Sequence, residues 1–176
     1  QMTDGKETGW DKLLKIRTVG RDDSRSDQYY YPYEPTPYCV LERLADTGYI
    51  TKKNKLIDYR CGKGRVESFL SYQTRCQSIG VEYDRHIFRG AMDNHKTAVS
   101  RDKTLFQCIN AEDYLPPADT DRFYFFNPFS VKVFQKVLGK ILNSYYEDPR
   151  ELLLFFYYPS EEYVAFLMTA EPLVFY

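Results

Sequence analysis

The residues best equipped for chemistry fall into four short groups: Asp58-Tyr59-Arg60-Cys61-Gly62-Lys63-Gly64, then Gly80-Val81-Glu82, then Asn110-Ala111-Glu112, and last Asn127-Pro128-Phe129-Ser130. Glycines spaced as in the first group let backbone approach a ligand closely. When a helix follows, its free N–H groups favour an anion. Glu82, 24 residues after Asp58, is a carboxylate able to accept two hydrogen bonds at once. Hydrolytic chemistry has little to work with. His86 and His95 are the only histidines and stand nine apart, which excludes H-E-x-x-H and leaves little for a Ser-His-Asp arrangement. Cys39, Cys61, Cys76 and Cys108 form no C-x-x-C pair, so reduced thiols are expected, with neither a zinc knuckle nor a disulfide framework, and no metal.

The elements that must position these groups can be read from periodicity. Lys55–Tyr59, Ser78–Glu82, Lys103–Ile109, Arg122–Asn127 and Glu151–Tyr158 read as strands, the last fully apolar. Between them lie helical faces: Val66, Phe69 and Leu70; Ile87, Phe88, Ala91 and His95; and the stripe Val131, Phe134, Val137, Leu138, Ile141, Leu142 and Tyr145, which is the best in the chain. Earlier helices are expected over Trp10–Val19 and after Thr36, with Thr36 as N-cap, Pro37 at the first helical position and Gly48 as the stop. Ser160 caps a helix running to Met168, and Leu173–Tyr176 can start a further strand. Strands alternating with helices predict an α/β fold. The expected form is a doubly wound, mostly parallel sheet covered on both faces, with ligands beyond the carboxyl ends of its strands. All four chemical groups sit at such ends.

The 176 residues carry a net charge of −1, from 24 basic and 25 acidic side chains. That balance gives no global field for a polyanion, so nucleic acid is not favoured as a partner. No apolar run approaches the ~20 residues of a membrane span, and the polar start lacks a signal-peptide core; a soluble, cytoplasmic protein is expected. Within one globular domain, residues 1–36 are expected to supply an N-terminal helix and an aromatic, proline-rich segment covering the site. Residues 37–176 are expected to form the ligand-binding α/β domain.

Taken in order, the four groups resemble class I S-adenosylmethionine-dependent methyltransferases, over roughly residues 37–170. The resemblance implies a Rossmann-like sheet ending in an antiparallel hairpin; only Glu171–Tyr176 follow the last helix, so a shortened form or a fragment of a longer chain is expected. It also implies S-adenosylmethionine as cofactor, with Asp58 near its ammonium group, the turn of Gly62 and Gly64 at its carboxylate, Glu82 at its ribose, and Asn110, Ala111 and Glu112 at its adenine. Asn127, Pro128 and Phe129 would meet the methyl acceptor. The family motif on amino-group enzymes is N-P-P-[FY], and here the second proline is missing. The acceptor is therefore expected only as a planar nitrogen of a protein side chain or a nucleobase. Ser130 also suits the N-cap of the next helix.

Arg60 stands where the family's glycine turn, D-x-G-x-G-x-G, has its first glycine. Where that position is left-handed, a side chain costs about 1–2 kcal/mol and a long one crowds the cofactor. An outward Arg60, or one paired with the cofactor carboxylate, carries no such cost. The two readings of function are accordingly methyl transfer and a catalytically silent, methyltransferase-like binding module. A nicotinamide fold would need a third glycine at the position of Glu67, where a carboxylate opposes a pyrophosphate.

Overall fold

Side chains along the central strands alternate between two aromatic-rich cores, and this alternation builds the domain. Leu56 and Tyr124 enter one core, whereas their neighbours Ile57, Phe123 and Phe125 enter the other, as period-two geometry requires. The computed structural model describes residues 4–20 and 34–176. The charged stretch 21–27 and the tyrosines at 29–31 and 33 lie outside the described residues. The elements are α1 (Asp4–Leu14), α2 (Tyr38–Asp46), β1 (Lys55–Asp58), α3 (Arg65–Thr74), β2 (Gln77–Glu82), α4 (Arg85–Thr97), β3 (Thr104–Cys108), β4 (Arg122–Phe125), α5 (Val131–Glu147), β5 (Leu153–Phe156) and α6 (Glu161–Thr169).

All five strands are parallel, in the order β3-β2-β1-β4-β5. Helices α1, α2 and α3 pack into the core containing Leu56 and Tyr124, while α5 and α6 pack into the other. The α/β doubly wound expectation is met, with no antiparallel strand among the described residues. Strand order reverses between β1 and β4, so their carboxyl ends diverge and leave a crevice. Asp84 caps α4 by accepting from the N–H groups of His86 and Ile87, Ser130 caps α5 and Ser160 caps α6.

Four local expectations are corrected. The first helix covers Asp4–Leu14 and not Trp10–Val19, because Lys15 adopts a φ of 60° and the Asp11 carboxylate then gathers the N–H and hydroxyl of Thr18 and the N–H of Val19. Thr36 does not cap α2, which begins at Tyr38. Its hydroxyl pairs with that of Tyr124 at 2.7 Å, and Glu7 of α1 accepts the N–H of Tyr38. The sheet is not covered on both faces throughout: the β3–β4 crossover holds a single 3-10 turn, Ala111–Asp113, because the turn-rich stretch with Pro116-Pro117 cannot continue a helix. Leu105 on β3 is consequently 65% exposed. Leu173–Tyr176 form no strand, and β5 is a half-buried edge.

Candidate functional site

The turn from β1 into α3 depends on two glycines. Gly62 and Gly64 have φ of 56° and 89°, backbone that favours glycine. Gly64 donates to the Cys61 carbonyl at 2.9 Å and its own carbonyl accepts the N–H of Ser68, starting α3. A side chain on Gly64 would bring a Cβ within 2.8 Å of the Phe106 ring. Gly80 lets the turn lie on β2, since a Cβ there would stand 2.6 Å from that of Cys61. Arg60 is absent from the residues with left-handed backbone. The replaced glycine therefore stores no strain, and the backbone penalty considered for this position does not arise.

Beyond the ends of β1 and β4 opens a cleft of about 1040 Å³. Asp58, Asn110, Ala111, Glu112, Asn127, Pro128 and Phe129 all line it, so the fold brings most of the sequence-derived residues together. Gly62, Gly64 and Glu82 do not line it. Glu82 is only 2% exposed, and its two carboxylate oxygens accept the backbone N–H groups of Gly62 at 3.2 Å and Asp84 at 3.0 Å. In this arrangement it braces the glycine turn from behind. Burial pushes its carboxyl upward, and those two N–H groups oppose the shift.

Asp58 forms the cleft floor. It is 2% exposed, its Oδ1 accepts the Arg60 N–H at 3.3 Å, and its Oδ2 has no hydrogen-bond partner among the described residues. Burial raises its pKa to about 6, while Glu67 and Arg60 pull it back. Glu112 sits at the rim in an ion pair with Lys136, 3.1 Å away, and its carbonyl accepts from Lys140.

Asn127, two residues beyond the end of β4, has a φ of 37°. Its amide donates to the Tyr158 carbonyl, and its oxygen accepts the Ser160 N–H at 3.0 Å. The carboxamide expected to meet a methyl acceptor thus ties the β4 end to the loop after β5. Phe129 stays beside the cleft, edge-on to Tyr59, with its carbonyl held by the Tyr163 hydroxyl.

Several cleft residues escaped the sequence reading. Arg65, only 2% exposed, donates to Thr18 Oγ1 at 2.7 Å, to Glu7 and to the Thr36 carbonyl, and lies 4.1 Å over the Tyr38 ring. It fastens the N-terminal segment beside the cleft, where Glu34, Pro35 and Thr36 form part of the wall. An arginine directly after a glycine turn carries no sequence signal for such a role. His95, on the helical face with Ile87 and Ala91, bonds Thr104 at 3.0 Å and packs edge-on to Phe106.

No family model and no curated protein matches this sequence. Solved structures do match. An RNA methyltransferase from Salinibacter ruber, in complex with S-adenosyl-L-homocysteine, superposes with a TM-score of 0.55 at 20% identity, over 63% of this chain and 71% of that one. YjhP from E. coli gives 0.54 at 11% identity, over 61% and 45%. TYW2 from P. horikoshii, in complex with MeSAdo, gives 0.51 at 16% identity, over 66% and 42%. The chain has the class I methyltransferase fold. It spans less than half the length of YjhP and TYW2. In this methyltransferase fold the cleft lies at the switch between β1 and β4, where ligands of open α/β sheets bind.

Proposed function

We propose that the chain binds S-adenosylmethionine in the cleft and directs its methyl group to an acceptor at the Asn127–Phe129 side. The observation that carries this reading is Asp58: a buried carboxylate on the cleft floor, with one oxygen lacking any donor among the described residues. Such a group is costly unless something with N–H groups or positive charge meets it. The cofactor's ammonium fits that need, and the Arg60 side chain in the same lining suits its carboxylate. Asn110, Ala111 and Glu112 offer polar and backbone contacts for adenine. When bound, S-adenosylmethionine supplies an activated sulfonium methyl.

The chain's own part is alignment and exclusion of water, which suffice for in-line transfer. Asp58 orients, Glu82 holds the glycine turn in shape through Gly62, and Pro128 and Phe129 form an apolar wall for a planar acceptor. Asn127 keeps that wall in place through Tyr158 and Ser160. Glu34, Glu161 and Glu162 also line the cleft, so a protein side chain suits its mouth better than a polyanion. A silent binding module drew its support from Arg60, and that support weakens because Arg60 carries no backbone strain.

Calorimetric titration with S-adenosylmethionine and S-adenosylhomocysteine tests the reading. Binding that Asp58→Asn weakens tenfold or more is expected; absence of heat at millimolar ligand would overturn it.

A further inference from the structure

Helix α3 places a second acid beneath the cleft. Glu67 is fully buried, and neither of its oxygens has a hydrogen-bond partner among the described residues. Asp58 is the carboxyl it acts on most directly: its own buried Oδ2 is likewise without a partner among the described residues, and each acid shifts the other. Two carboxylates in one buried site do not both ionise, so the pair keeps a proton.

Its surroundings decide where that proton sits. Asp58 has the Arg60 N–H and the charge of Arg60 beside it. Around Glu67 stand Asp58 and the Cys76 thiol, while the Cys61 thiol and the Tyr124 hydroxyl each feel both acids; Glu82 acts on Cys61 from β2. Burial keeps both thiols and the hydroxyl neutral. Glu67 is therefore the member left as the neutral acid.

We infer that Glu67 is a positioning residue: it turns its proton toward Asp58 and keeps that carboxylate charged for a cationic group entering the cleft. The inference rests on the proposed cofactor reading, and it adds a residue that touches no ligand itself. Glu67 gives the floor of the site one negative charge where two acids stand.

The test follows S-adenosylhomocysteine affinity by calorimetry from pH 5 to 8, together with carboxyl 13C titration of Asp58, in wild type, Glu67→Leu and Glu67→Gln. Leucine removes the donor, so the binding midpoint and the Asp58 titration should move up by about one pH unit, with affinity falling about threefold near pH 6.5 and approaching tenfold by pH 5. Glutamine can still donate an amide N–H and should restore the wild-type midpoint, a rescue that a merely space-filling role would not produce. Identical pH profiles in all three proteins would overturn the inference while leaving the cofactor reading intact. If wild type binds no S-adenosylhomocysteine at any pH, the cofactor reading fails, and the Asp58 titration alone decides whether Glu67 holds it charged. Should Glu67→Leu not fold, a Glu67→Gln midpoint displaced upward from wild type would equally overturn the inference.

Discussion

Replacing Glu67 by Gln should make the protein more stable at neutral pH, by an amount that pH itself controls. Burial and the Asp58 charge raise the Glu67 pKa well above its ordinary 4.5. Folding near neutrality thus takes up a proton that the unfolded chain does not hold. A group raised in this direction contributes fully below about 4.5 and loses its contribution as pH rises, at about 1.4 kcal/mol per pH unit while the folded acid stays protonated. Each pH unit passed in that way removes a sizeable part of the 5–15 kcal/mol, roughly, that holds a domain together. Glutamine matches the neutral acid in shape and does not titrate. The two proteins should therefore be nearly equal at pH 4.5, with the Gln variant pulling ahead by about 1.4 kcal/mol for each pH unit above it until the folded acid ionises. Asp58 and the surface acids titrate in both and largely cancel. Urea unfolding can be followed through the lone tryptophan, Trp10, which packs edge-on against Phe69 at 4.8 Å. A stability difference that stays flat from pH 5 to 7.5 would refute the reasoning, because Glu67 would then be ionised in the folded state.

Gly64→Ala should cost about 2–4 kcal/mol in urea unfolding, from left-handed backbone and from overlap with the Phe106 ring. Adding Phe106→Ala should leave a smaller penalty for the Gly64 change, measured by the double-mutant cycle. Arg65→Met should destabilise by about 3–5 kcal/mol, because the buried Asp11, 4.0 Å from the guanidinium, and the half-buried Glu7 would lose their partner; a loss below 1 kcal/mol would rule out that role. Asn127→Ala should cost about 2 kcal/mol through its two lost hydrogen bonds. It should speed hydrogen exchange at the Ser160 N–H while leaving S-adenosylhomocysteine affinity within about twofold. A large fall in that affinity would place Asn127 in the cofactor site instead.

The sequence by itself determined the α/β class, the five strands and the location of the chemical groups at strand ends, because these depend on local rules. Period-two apolar strands, a 3.6-residue stripe in α5, capping serines at Ser130 and Ser160, and a glycine turn after Asp58 are each legible within a short window. Even the failure of Glu67 as a third glycine was visible, though not its meaning. Only the tertiary structure decided which polar groups face the cleft and which face each other. Glu82 and Asn127 sit at the predicted strand ends, but their side chains meet Gly62, Asp84, Tyr158 and Ser160. Arg65 reaches Glu7 and Thr18 across 58 and 47 residues of chain, a distance that no local pattern encodes. Spacing names the element that carries a side chain. A hydrogen bond is settled by what the other elements bring within about 3 Å, and the charge of a buried carboxyl by what surrounds it, which for Asp58 and Glu67 includes each other.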